Sequence, residues 1–227
     1  MDLLKDFLDK EELSYFNNYI KSNLNKFVSG KLTTGRYLKN RKSNLVHVND
    51  ELNYILFNEK NYAKVRKNIT SQHFGVIKNM ISVYKKGDFY NFHHDQPVIR
   101  NRTSKIAYTV WLNDPKEYEG GELIIKHSFG ETSFKEKAGT AIFYPPEYLH
   151  KVNEITKGSR KVLIGWLDCF ISSEQDRKLL VDLEKSLSSL HEFCYRKAEN
   201  EDEVEELYDV ILKLNSARSY LIRKLYK

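Results

Sequence analysis

The 227-residue chain, 41% hydrophobic and 13% aromatic, is long enough to bury a core and too apolar for a disordered segment. Its two cysteines, Cys169 and Cys194, leave no room for a disulfide framework, which favours a reducing, cytoplasmic setting. No apolar run reaches the length of a membrane span, and Met1 to Asp6 lacks the layout of a signal peptide, so no membrane partner is expected. The net charge of +6 is uneven: residues 171–227 carry 12 acids and 10 bases, net −2, leaving 27 bases and 19 acids, net +8, on residues 1–170. That excess reads as a lysine-rich surface, with attraction of an acidic partner as the sharper alternative.

Asp9 followed by Glu12 predicts a capping box. Leu13, Phe16, Ile20, Leu24 and Phe27 then recur at helical spacing. Residues 30–47 are polar and basic (Arg36, Lys39, Arg41) and read as a loop with a short strand, and a helical stretch is expected around 50–68. From about 72 to 168 the period changes to two, with Gly87, Asn113-Asp114-Pro115, Gly120-Gly121, Gly130, Pro145-Pro146 and Lys157-Gly158 as punctuation. Eight or so short strands at that spacing predict a mainly β fold with flanking helices, its core a double-stranded β-helix of the jelly-roll or cupin-like kind. Such a core places inward residues of several strands around one pocket. From about 174 onward, Leu180, Leu183, Leu187 and Leu190 form one helical stripe. Val204, Leu207, Ile211, Leu214, Leu221 and Leu225 form a second, opened by a capping-box pattern at Asn200 and Glu203. They predict a hairpin packed on the core or pairing the chain into a homodimer. The expected division is a 1–70 N-terminal helical and loop segment, a 71–171 core and a 172–227 helical hairpin.

Within the strand-rich stretch, His93-His94-Asp95 is followed by His150 and Arg160. Two histidines and a carboxylate form the facial triad that holds non-haem Fe(II) and leaves positions open. Strand alternation puts His93 and Asp95 on one face and His94 on the other, with His150 arriving from another strand. The remaining histidines, His47, His73, His127 and His191, are assigned to structure or surface. Zinc accepts the same ligands, but a hydrolytic zinc site has no need of Arg160, whose guanidinium fork suits a carboxylate. Trp166 shares the face of Arg160 and is expected to line the pocket, with Leu123 and Phe143 as its apolar wall.

The family resemblance runs through Ser82–Gly87, Phe89–Asp95, Trp111-Leu112-Asn113, Tyr118–Leu123, Ala138-Gly139-Thr140, Tyr144-Pro145-Pro146, Leu149-His150 and Lys157-Gly158-Ser159-Arg160 through Trp166. With Lys39-Asn40 and Arg177–Leu183, the chain resembles, over nearly its full length, the 2-oxoglutarate/Fe(II) dioxygenases of the prolyl 4-hydroxylase type, and most closely the PKHD-type hydroxylases of bacteria and phages. The resemblance implies an oxidoreductase that uses O2, Fe(II) and 2-oxoglutarate to hydroxylate an unactivated C–H bond, most readily of a peptidyl proline in a peptide or protein, releasing succinate and CO2. It further implies His93, Asp95 and His150 as iron ligands, Arg160 and Tyr84 on the distal carboxylate of 2-oxoglutarate, and L-ascorbate as reductant. Asp95 implies hydroxylation, since related halogenases lack that carboxylate. Arg100, Arg102 and Trp111 are the candidates for contact with substrate.

Three alternatives stand beside this reading. One is a hydroxylase of a free amino acid or siderophore component, and another a non-enzymatic iron or 2-oxoglutarate sensor. The third, a nucleic-acid demethylase, is disfavoured because Trp166 stands where a second arginine would follow Arg160.

Overall fold

The computed structural model describes residues 1–33, 42–197 and 201–226. Arg36, Lys39, Asn40 and Arg41, and the Asn200 end of the second capping-box pattern, lie outside the described residues. The described strands, in chain order, are β1 (Asp2–Leu4), β2 (Val28–Ser29), β3 (Lys42–Ser43), β4 (Leu45–His47), β5 (Phe74–Lys85), β6 (Phe89–His93), β7 (Val98–Ile99) and β8 (Arg102–Thr103). They continue as β9 (Ile106–Trp111), β10 (Tyr118–Gly120), β11 (Leu123–His127), β12 (Gly130–Phe134), β13 (Ala141–Tyr144), β14 (His150–Val152) and β15 (Ile155–Cys169). The α-helices are α1 (Lys10–Ser22), α2 (Leu52–Leu56), α3 (Glu59–Val65), α4 (Glu174–Lys197) and α5 (Glu201–Leu225). None among the described residues is long and apolar enough to cross a membrane. The chain forms two compact units, residues 1–61 with 75–168, and residues 62–74 with 169–227.

The first unit is built on two sheets. One runs β1-β13-β9-β15-β5-β4-β2, with β10 joined to β15; the other runs β12-β11-β14-β6-β3. A small hairpin, β7-β8, turns through Arg100 and Asn101, both at positive φ. The strand pairings described in both sheets are antiparallel. This is the jelly-roll arrangement expected from the period-two pattern. Between the sheets lies a core that includes Met80, Tyr84, Trp111, Leu123, Ile125, Tyr144 and Trp166.

Helix α1 begins at Asp9, and both halves of the capping box form: the Glu12 N–H donates to Asp9 Oδ1 at 2.9 Å, and the Asp9 N–H to Glu12 Oε2 at 2.7 Å. It ends at Ser22, short of the expected Leu24 and Phe27. The Asn23 backbone N–H and its side-chain amide both donate to the Tyr19 carbonyl, closing the helix there. Leu24 lies in a 3-10 turn and is half-exposed, while Phe27 packs on the His47 ring, with centroids 5.2 Å apart. The stretch expected around 50–68 is helical but broken into α2, α3 and a π-helical turn over Arg66–Thr70 that stops at Ser71, whose φ is 56°.

In the second unit α4 and α5 form a hairpin, and α4 also packs on the 66–70 turn. Leu180, Val181 and Leu187 are buried on α4 and Ile211 on α5. Arg218 on α5 ties back to Glu184 on α4, with its Nε 2.9 Å from the carboxylate.

Candidate active site

Two histidines 57 positions apart in sequence become direct cross-strand neighbours, because β14 pairs β6 in the register His150 to His93. Side chains opposite one another on an antiparallel pair project to the same face, and here the two ring centroids are 4.2 Å apart. Each ring is held the same way. The Nδ1–H of His93 donates to the Asn91 carbonyl and that of His150 to the Tyr148 carbonyl, both at 2.8 Å. A carbonyl only accepts, so Nδ1 carries the proton and Nε2 is left with its lone pair.

Asp95 reaches the same place by a route the alternation argument did not supply. β6 ends at His93, so Asp95 lies beyond the strand. Its backbone N–H instead donates to the Pro146 carbonyl at 3.1 Å, which anchors it to the turn before His150. Its carboxylate then stands 3.8 Å from His150 Nε2. One donor atom from each of His93, Asp95 and His150 lies within 4.8 Å of the others, a grouping that could hold one metal ion. His94 is outside this group; its Nδ1 donates to the Glu147 carbonyl at 2.7 Å.

The group opens into a cavity of about 270 Å³ between the two sheets. Sheet residues Met80, Tyr84, Tyr144, Arg160 and Trp166 line it from one side, and Tyr90, Leu123, His150 and Val152 from the other. Arg160, only 1% exposed, carries a buried Nε with no hydrogen-bond partner, and among the described residues no carboxylate pairs with it. A buried guanidinium without a counter-ion is costly unless a ligand completes it, so this cavity is suited to an anion. The Arg160 Cζ lies 5.3 Å from the centre of the Tyr84 ring. Burial raises the Tyr84 hydroxyl above the ordinary tyrosine range despite the opposing charge of Arg160, so at neutral pH it stays protonated and able to donate. Burial likewise raises Tyr90 and Tyr144, with the Asp95 charge adding to both. Tyr90 also stacks on His93, its ring 3.5 Å away.

Other expected positions fall elsewhere. Phe143 is on the opposite face of β13, packed edge-on against Phe7 at 5.8 Å; the β13–β9 register turns Tyr144 inward in its place. Trp111 is buried in the intersheet core and does not line the cavity. Arg100 is paired with Asp50 at 2.7 Å and Arg102 with Asp168 at 3.3 Å, and neither lines it. Tyr90, Tyr144 and Lys78 line the cavity without having been singled out from sequence. Tyr144 was within reach, because it precedes Pro145-Pro146, where the strand must end; the phase of so short a strand could not be told.

Gly121 shows how closely the arginine is framed. Its φ is +70°, and a Cβ there would meet Ile155 Cδ1 and lie 3.1 Å from Arg160 Cδ. Gly121→Ala is expected to cost about 1–3 kcal/mol of stability, from the left-handed backbone and the crowding. It should also raise the KM for 2-oxoglutarate by displacing the Arg160 stem; thermal unfolding and steady-state kinetics measure the two effects.

Two imidazoles and a carboxylate around an open position fit Fe(II), and the uncompensated Arg160 fits the far carboxylate of a dicarboxylic co-substrate. A jelly roll carrying that pair of sites is the architecture of the 2-oxoglutarate- and Fe(II)-dependent oxygenases, and residues 79–168 match the family model of the 2OG-Fe(II) oxygenase superfamily. Among solved structures of this fold, a Pseudomonas putida prolyl-4-hydroxylase aligns with a TM-score of 0.55 at 15% identity, covering 73% of this chain and 90% of that one. A prolyl hydroxylase in complex with a hypoxia inducible factor oxygen degradation domain peptide fragment, from Trichoplax adhaerens, aligns with a TM-score of 0.55 at 16% identity, covering 79% and 86%. A PKHD-type hydroxylase of Picosynechococcus sp. is 37% identical over 168 residues, 72% of this chain and 77% of the relative. The chain belongs to the PKHD-type hydroxylases of that superfamily.

Proposed function

We propose that this enzyme hydroxylates a peptidyl proline presented in extended form, with His93, Asp95 and His150 holding Fe(II) and Arg160 and Tyr84 holding the distal carboxylate of 2-oxoglutarate. The observation that carries the site assignment is the sharing of one intersheet cavity by the His-Asp-His group and a buried arginine with no carboxylate partner among the described residues. When bound, Fe(II) with 2-oxoglutarate and O2 supplies the oxidising chemistry that converts C–H to C–OH and releases succinate and CO2. The protein's own part is orientation and exclusion of water. The two carbonyl-anchored imidazoles keep their Nε2 atoms directed at the metal position. Tyr84 keeps a protonated hydroxyl beside the guanidinium, and Leu123 and Trp166 wall the cavity.

The proline assignment is supported by the names of the fold neighbours, one of them holding a peptide, and by a cavity that extends past the metal group between apolar side chains. L-ascorbate is the expected reductant that keeps the iron ferrous. A cytoplasmic setting agrees with two cysteines that are not joined in a disulfide. Mass spectrometry provides the test. Peptides with a single proline should gain 16 Da in the presence of Fe(II) and 2-oxoglutarate, and exchanging that proline for alanine should remove the product. Hydroxylation of a free amino acid or siderophore component, with no proline peptide accepted, would move the enzyme to a small-molecule substrate.

A further inference from the structure

Lys78 is a second cation on the active-site cavity. It lies on β5 on the face shared by Met80 and Tyr84, and all three line the cavity. Tyr84 is the residue beside Arg160, and Lys78 is six residues back along the same strand, roughly 20 Å at about 3.3 Å per residue. A small dicarboxylate held by Arg160 therefore cannot reach Lys78, whose end of the cavity is left for the substrate.

Several observations point to this end as built for a ligand. Among the described residues Lys78 has no hydrogen-bond or ion-pair partner, although it is half-buried. The acid nearest to it in charge, Asp50, is engaged at 2.7 Å by Arg100, which also donates to the Ile77 carbonyl and so holds the β7-β8 hairpin against β5. Loss of solvent and then the Arg100 charge both depress the Lys78 ammonium below its usual range, and the charge of an incoming anion would offset both. Independently, Trp166, which lines the cavity, follows Gly165, which abuts the Lys78 backbone, and its buried Nε1–H has no acceptor among the described residues. Val98 and Ile99 of the hairpin complete an apolar rim around the two donors.

We propose that Lys78 binds a carboxylate of the substrate, so that the preferred peptide carries Asp or Glu beside the residue that is hydroxylated. The inference rests on the hydroxylase reading of this cavity and depends on the proline only for the identity of the oxidised residue. It also relocates the recognition of acidic flanks from Arg100 and Arg102, which are committed to Asp50 and Asp168, to Lys78, the lysine that lines the site among the described residues.

The test uses the full chain with Fe(II) and 2-oxoglutarate and matched peptides bearing Glu, Gln or Lys next to a target that is proline in one set and another residue in a second. Products are read as +16 Da, and kcat and KM are taken from succinate release. The wild type should favour Glu over Gln by roughly tenfold or more in kcat/KM, mainly through KM, and reject Lys. Lys78→Met should lose that preference, its kcat/KM for the Glu and Gln peptides becoming equal, with circular dichroism showing that it has folded. Lys78→Arg should keep the preference. Equal use of Glu and Gln peptides by the wild type, or a preference that survives in Lys78→Met, overturns the proposal. Lys78-dependent hydroxylation confined to acidic peptides without proline upholds it and overturns the proline assignment instead. A library in which no peptide is turned over overturns both.

Discussion

His150→Ala is expected to abolish Fe(II)-dependent succinate formation while leaving a folded protein. The imidazole supplies one of three donors that lie within 4.8 Å of one another, and no other histidine or acid among the described residues joins that group. Disturbing even an outer partner of a metal ligand costs roughly 10- to 100-fold in affinity or activity, so removal of the ligand itself should exceed that. The structural cost is smaller: a buried ring is lost and the Tyr148 carbonyl is left without its donor, about 1–3 kcal/mol. His93→Ala and Asp95→Ala should behave alike. His94→Ala should retain metal binding, because that ring is anchored to Glu147 outside the group. Circular dichroism, metal titration and succinate assays separate loss of the centre from loss of the fold. Normal turnover by His150→Ala would sink the ligand assignment.

Arg160→Ala should raise the requirement for 2-oxoglutarate by roughly a hundredfold, with iron binding largely retained. At about 1.4 kcal/mol per tenfold this is close to 3 kcal/mol, in keeping with a charged, forked hydrogen-bonded pair on a buried guanidinium. Arg160 is 1% exposed, so water offers the co-substrate little replacement for the guanidinium. Arg160→Lys should restore only part of the affinity, since an ammonium brings charge without the planar fork. Tyr84→Phe should be milder, losing one neutral donor. Unchanged 2-oxoglutarate dependence in Arg160→Ala would mean that another cation is the clamp. Lys78 is the cavity-lining lysine to examine next, although its distance along β5 argues against it.

The residue types of the site were legible in one dimension because their chemistry is restrictive. Few combinations other than two histidines with a carboxylate leave an iron open, and a downstream arginine on a strand has few reasons to face inward. The capping box at Asp9, the change of period near residue 72 and the two leucine stripes were legible for a similar reason: each is a local pattern whose energy comes from neighbours in sequence. Register and strand ends are not local. That His150 stands opposite His93 is decided by the pairing of β14 with β6, and that Asp95 joins them is decided by a hydrogen bond to Pro146 across a turn. Which of Phe143 and Tyr144 faces inward depends on how β13 meets β9, because a one-residue slip exchanges the two faces. Arg100 and Arg102 looked available in sequence, yet Asp50 and Asp168, distant along the chain, occupy them. The chemistry of this protein was therefore written in its residue types, whereas which charges stay free to meet a substrate was settled only by long-range contacts that no local pattern encodes.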